Sequence, residues 1–375
     1  MSQSAPNIYD DAVVGLSREP NPAFPRAGSS IGNRHLTPLL FTKATQRPLL
    51  NKSRYTNQDS PCVAPHDCGR GVVVVLRSAR QNHNQRPLEI DVIKQILDAA
   101  PELQKHLPRV CFNLNTRHDV YQMEIRDLKI IAADRCYELW KVDSLEEFKT
   151  AFLDIFECHH RAFVKGKALH GDITAENAMF YRHRTHGIRG CLNGFNNSSA
   201  STGDGPSNGA ADVPFRAEAV PFMALDIIDE YKAPMPRFYR HDLESFVYLL
   251  VWAGVHFDIR RHVHGITNEF IAGWTAHASS DLMRAHDNKS QFWINDVRAE
   301  GIRSQFREEF IPLWNEWIAP LRELFWDAWR ADRMHRKKIW RGQVSELDTE
   351  TLGGILTFET FMKALGKQPC HWDTD

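Results

Sequence analysis

The octapeptide His170-Gly171-Asp172-Ile173-Thr174-Ala175-Glu176-Asn177 sets an imidazole, a carboxylate and a carboxamide in the pattern H-x-D-x-x-x-x-N. The spacing suits phosphoryl transfer. That chemistry needs a carboxylate, here Asp172, to orient an attacking hydroxyl and accept its proton. It also needs a side-chain oxygen, here on Asn177, to hold Mg²⁺ against the phosphates. One loop can supply both, provided the chain on either side fixes its ends. A plainer reading uses the same residues: a polar turn around a buried His170, with no chemistry. The surroundings of the loop must separate the two.

The flanks are ordered as the chemical reading requires. Ala168-Leu169 and Ala178 to Tyr181 are apolar and bracket the polar turn as two short strands would. Upstream, Phe148, Phe152, Ile155, Phe156 and Phe163 form the apolar face of a helix running from about Ser144 to Phe163. Ser144 is a fitting N-cap, and Glu147 three residues on completes a capping box. Downstream, Phe238 to Trp252 reads as a strongly apolar helix. Earlier in the chain, Val72 to Leu76 is a continuous β-branched run, a buried strand between Gly71 and Ser78. Ile90, Ile93, Ile96 and Leu97 recur at helical spacing, and that helix should end near Ala100-Pro101, because the residue before a proline is pushed out of helical geometry. The aromatic-faced segments between Phe306 and Trp329 read as core, and the run Arg336-Lys337-Lys338 as a solvated helix end.

Composition bounds the rest. A chain of 375 residues suggests two lobes or domains, and 42% hydrophobic residues suffice for a sizeable core. With 46 basic against 47 acidic residues, no electrostatic argument favours nucleic acid or an anionic membrane as partner. Seven cysteines without a CxxC pair read as reduced, mostly buried thiols of an intracellular protein, cytoplasmic or nuclear. His66-Asp67-Cys68 could hold a metal but is a weak candidate for one. No apolar run is long enough to span a bilayer, and the N-terminus lacks a secretory pattern. Residues 1–35 and 193–213 are rich in small and polar types and should be loose, the second as the most mobile internal loop.

Several longer segments carry a resemblance. Leu169 to Asn177 (LHGDITAEN), Val220 to Ile228 (VPFMALDII), Tyr239 to Trp252 (YRHDLESFVYLLVW) and Leu356 to Gly366 (LTFETFMKALG) resemble the fungal-type protein kinases, the third most distinctively. The resemblance implies an α+β, two-lobed protein-kinase-like fold: a loose N-terminus over 1–35, a degenerate N-lobe over 36–143, a helical C-lobe over 144–366 and a tail over 367–375. By motif, Asp172 looks like the catalytic-loop Asp and Asn177 like the Mg²⁺-binding Asn. Asp242 resembles the buried helix Asp that accepts backbone N–H bonds from that loop, with His170 a packing and hydrogen-bonding residue. ATP and Mg²⁺ would be the cofactors, and a protein the substrate or partner.

Three departures bear on activity. Cys191 to Asn196 (CLNGFN) stands where the family shows a strand followed by Asp-Phe-Asp or Asp-Phe-Gly, so the metal-binding Asp is replaced by Gly194, which has no side-chain ligand. Val74-Val75-Leu76-Arg77 resembles the strand whose Lys grips the nucleotide, with Arg77 instead and Glu89 as its expected ion-pair partner. The candidate phosphate loop, Phe41 to Arg47, contains no glycine. Asn196, Asp204 or Asp212 could substitute for the missing ligand. The classes left standing are an active Ser/Thr protein kinase, a pseudokinase scaffold, and a small-molecule phosphotransferase of the aminoglycoside or choline kinase type.

Overall fold

A computed structural model describes residues 72–80, 89–120, 124–183, 187–195, 198–200, 217–229, 236–265, 269–276 and 278–370. The proposed phosphate loop, the His66-Asp67-Cys68 segment, the 1–35 tail, Asn196, Asp204 and Asp212 fall outside those residues. The architecture is α+β, and the chain divides into two compact units, residues 1–83 with 110–135 and residues 84–109 with 136–375.

In the first unit, β1 (Val72–Arg80), β2 (Val110–Val120) and β3 (Glu124–Asp134) form an antiparallel sheet in the order β1-β3-β2. The run of valines extends past the stretch its apolar character marks, to Arg80. Arg77 sits on β1 opposite Lys129 of β3.

The second unit begins with α1 (Glu89–Ala99), which stops before Pro101 as the proline requires. After β4 (Tyr137–Glu138), α2 spans Leu145–Val164. Ser144 caps it, accepting from the Glu147 N–H at 3.1 Å, and the Glu147 carboxylate reaches back to the N–H of Asp143 at 2.8 Å. The reciprocal bond thus falls one residue earlier than in the usual box. β5 (Ala168–Leu169) and β6 (Ala178–His183) bracket the polar loop; β6 lies between β4 and β7 (Gly187–Leu192). The small-residue stretch after β7 is not loop throughout: β8 (Ser199–Ala200) pairs with β5, which ties the entry to the loop to the chain beyond β7.

Next come α3 (Leu225–Asp229) and α4 (Tyr239–His256), then β9 (Phe257–Asp258) paired with β10 (Val263–His264), and α5 (Glu269–Ala272). The chain continues through α6 (Leu282–Ile294), α7 (Asp296–Arg303), α8 (Ile311–Leu313), a π-turn over Trp314–Ile318, α9 (Ala319–Trp340) and α10 (Phe358–Ala364). Every residue of α4 is buried: the apolar run Phe246 to Val255 as core, and the polar first turns through the partners of Arg240, Asp242 and Glu244. Phe152 and Phe156 of α2 meet Phe246 of α4 edge-on, at centroid distances of 5.6 and 5.1 Å, and Phe156 stacks on Phe361 of α10 at 4.5 Å. Each such ring contributes about 2–3 kcal/mol by burial, so this aromatic seam fixes α2 against α4, and with them the two ends of the site below. No helix among the described residues is long and apolar enough to cross a membrane.

Candidate functional site

The polar loop between β5 and β6 is held from beneath by buried side chains of α2 and α4. Asp242, on the first turn of α4, accepts the Gly171 N–H at 3.0 Å and lies 2.7 Å from Nε2 of His159 on α2. Burial by itself would raise the Asp242 pKa, but the bond from His159, its charge and the Gly171 amide outweigh that and hold it below the usual carboxylate range. Gly171 has φ of 71°, in the left-handed region that glycine enters without strain. Its carbonyl accepts from Nη1 of Arg237 at 2.8 Å.

His170 is fully buried and spans the loop. Its Nδ1 accepts the Asp172 N–H at 3.2 Å, and its Nε2 lies 2.8 Å from the carbonyl of Asn193 beyond β7. With Nδ1 accepting, Nε2 donates. Burial lowers the His170 pKa, which keeps the ring neutral for this pair of bonds. It is therefore a bracing residue. Phe195 packs edge-on against it at 4.6 Å.

Asp172 is buried except for an edge facing a cleft that Thr174, Phe222, Met223 and Arg237 also line. Asn177 donates from Nδ2 to the Asp172 carbonyl at 2.8 Å and to Oδ2 at 3.1 Å. The two residues that the spacing singles out are thus brought together, and the carboxylate is fixed by its own loop. A carboxylate at the floor of a cleft can orient a hydroxyl and take its proton. Thr174 Oγ1, also buried, has no hydrogen-bond partner among the described residues.

The metal side of the site is different. Gly194 has φ of 87°, and a Cβ built there would lie 2.3 Å from Oδ1 and 2.4 Å from Cγ of Asn177. The space a side chain at this position needs is filled by the Asn177 amide. Glu89, at the start of α1, accepts the N–H groups of Gly194 and Phe195 on a single oxygen, at 2.8 and 3.2 Å. A carboxylate at 194 is therefore missing, and a side chain there would have to displace the Asn177 amide and hold a positive φ, so the residues present do not fit the Mg²⁺ site that the motif implies. No cluster of three or more His, Cys, Asp or Glu able to hold a metal occurs among the described residues.

The far wall of the cleft is the turn Ala217–Phe222 leading to α3. Lys289 of α6, with no exposed surface, donates to the carbonyls of Val220, at 3.1 Å, and Met223, and its Nζ lies 3.8 Å from the Tyr248 ring centroid. Burial depresses its pKa to about 7, with Glu244 opposing. Glu244 in turn accepts the Leu225 N–H at 3.0 Å and the Tyr248 hydroxyl at 2.6 Å. Asp226 pairs with Arg240 Nη1 at 2.6 Å.

Motif reading finds Asp172, Asn177, His170 and Asp242 but misses His159, Arg237 and Lys289. The last three lie in helices or loops without a motif, and a lone Lys on an amphipathic helix reads as solvated. Glu89 is at the site through the Gly194 and Phe195 amides. Arg77 belongs to the first unit.

The family model described as "Fungal protein kinase" matches residues 41–254. No curated protein matches the chain. One of the solved structures that match is "Structure of vaccinia related kinase 3", with 14% identity and a TM-score of 0.35 over 59% of this chain. The match spans 65% of that structure's chain, just under two thirds of its length.

Proposed function

Since more than half of its length matches the family, this chain belongs to the fungal protein kinases, and we propose that it is a degenerate member in which transfer of the ATP γ-phosphate to protein Ser or Thr is weak or lost. What remains is a kinase-like scaffold that binds protein partners. One observation carries the reading: the Asn177 amide occupies the space where position 194 would have to present a metal carboxylate. Single electrostatic contacts to a transition state are worth about 3–4 kcal/mol, or roughly two to three factors of ten in rate, so the loss at this one position suffices to impair catalysis. The parts that survive, Asp172, Asn177, His170 and Asp242, are bound into the loop by hydrogen bonds made within the chain itself.

The test is transfer from radiolabelled ATP to a generic protein substrate, comparing the natural chain with Asp172→Ala, alongside a thermal-shift titration of ATP with and without Mg²⁺. The expected outcome is little or no transfer, no difference between the two chains, and no Mg²⁺-dependent stabilisation. Robust transfer that disappears in Asp172→Ala would replace this reading with an active kinase of unusual metal chemistry.

A further inference from the structure

The exposed face of α9 carries a feature that the cleft does not use. Its buried side, Leu321, Phe325 and Ala328, packs into the core. At 100° per residue, Trp326, Arg330, Arg333, Lys337 and Trp340 fall within an arc of about 80° on the opposite side. All five are exposed, Trp326 at 37% and Trp340 at 85%, and Met334, at 54%, and Arg341 widen the stripe at one edge. The two indoles stand about 21 Å apart along the axis, at 1.5 Å per residue. Among the described residues, Arg330 has only a loose ion pair, with Asp327 at 3.8 Å between exposed groups. Arg333, Lys337 and Arg341 have no ion pair among the described residues. A chain of net charge −1 thus concentrates unneutralised cations between two exposed indoles.

We infer that this face is a docking surface for an acidic segment of another protein, one that lays carboxylates along Arg330, Arg333 and Lys337 and apolar side chains onto Trp326 and Trp340. Trp and Arg are the residues that most often dominate binding at protein interfaces, and burial of an indole beside a guanidinium excludes the water that would otherwise screen the charge pair. The charge pattern selects against other occupants. Glu323 and Asp327 border the N-terminal end of the stripe and are exposed, so an anionic membrane plane would press on carboxylates as well as cations. A second copy fits no better. Arg333 is midway between Trp326 and Trp340, so an antiparallel two-fold pairing places Arg333 on Arg333 and brings Arg330 to within about 1.5 Å, one residue's rise, of the level of Lys337.

The probe is a synthetic helical peptide with Glu at the three positions that would face the cations and Phe at both ends, labelled for fluorescence anisotropy. Its Glu→Gln counterpart and vesicles of phosphatidylserine and phosphatidylcholine serve as comparisons. The natural chain should bind the Glu peptide, weakening at least tenfold with the Gln peptide, with Trp340→Ala, or with Arg333→Glu plus Lys337→Glu. High salt should weaken it as well. These side chains are exposed, so thermal unfolding should be unchanged in the variants, which separates lost docking from lost fold. Failure to bind the Glu peptide, equal binding of the Gln peptide, preference for the vesicles, or a dimer in sedimentation that Trp340→Ala abolishes would each overturn the inference. None of these outcomes touches the cleft, so they leave the reading of Asp172 and Gly194 where it stands.

Discussion

Restoring a carboxylate at position 194 should damage this protein before it repairs anything. Gly194→Asp forces a non-glycine residue to φ of 87°, which costs about 1–2 kcal/mol. Its Cβ would sit 2.3 Å from the Asn177 side chain, so the amide must swing away from the Asp172 carbonyl and carboxylate, where it bonds at 2.8 and 3.1 Å. Each bond lost adds about 0.5–1.5 kcal/mol, the one to the charged oxygen at the upper end. The sum is about 3–5 kcal/mol of destabilisation, read as a lower urea midpoint at constant slope. Gly194→Ala should cost nearly as much, since Cβ alone makes the clash. Asn177→Ala combined with Gly194→Asp should cost less than the two single changes added, because the first vacates the space that the second fills. A Gly194→Asp chain as stable as the natural one, with a Mg²⁺-dependent gain in melting temperature on adding ATP, would refute the packing argument and with it the main support for lost catalysis.

Three further outcomes are expected. Lys289, whose pKa burial depresses to about 7 from an ordinary 10.5, binds fewer protons folded than unfolded above pH 7. The stability it governs therefore rises with pH through that range, by at most about 1.4 kcal/mol per pH unit. Lys289→Met should flatten the slope between pH 7 and 9 in urea melts, with Glu244 and Tyr248, the titratable groups facing it, left in place; an unchanged slope would assign it elsewhere. Burial alone would raise the Asp226 pKa, but His241 and Arg240 hold it well below the usual carboxylate range, so it supplies stability above about pH 4 that is lost on acidification. Asp226→Asn should lower stability at neutral pH and make the acid side of the profile shallower, measured by circular dichroism. Asp242→Ala leaves the His159 ring and the Gly171 amide without their shared acceptor and should cost about 3–5 kcal/mol, seen as a large fall in melting temperature.

What the sequence made legible is what periodicity and motif can carry. Phe148, Phe152 and Phe156 at helical spacing gave α2 and its Ser144 cap, and the apolar ends of the octapeptide gave β5 and β6, because each signal is local. Asp242 was legible only through its long motif; its hydrogen bond to Gly171 joins residues far apart in the chain. The partners found only in three dimensions have no such signal. His159 is one of two adjacent histidines on α2, and nothing in its neighbours marks it rather than His160 as the partner of Asp242. Lys289 lies in a helix of mostly polar character, so its burial follows from where α6 meets the Val220 turn and not from its own segment. β8 escaped for the opposite reason: Ser199-Ala200 has no strand propensity and is a strand because β5 supplies an edge to pair with.

The conflict between an intact octapeptide and a missing metal ligand resolves once the bonds are sorted by what they hold. His170 joins the Asp172 amide to the Asn193 carbonyl, Asp242 joins α4 to Gly171, and Asn177 closes the loop on Asp172. All of these are internal to the fold, and removing any one leaves a buried polar group unsatisfied, at about 1–3 kcal/mol. The H-x-D-x-x-x-x-N pattern therefore has a stability role that is independent of phosphoryl transfer. The metal carboxylate has no such second duty. Its replacement by Gly194 lets the Asn177 amide pack where a side chain would stand and leaves the two backbone N–H groups to Glu89. On the proposed reading, the loop keeps the residues that the fold requires, while position 194 carries no such requirement. The presence of Asp172 alone is thus no measure of activity in this protein; whether position 194 can accept a side chain is the sharper one.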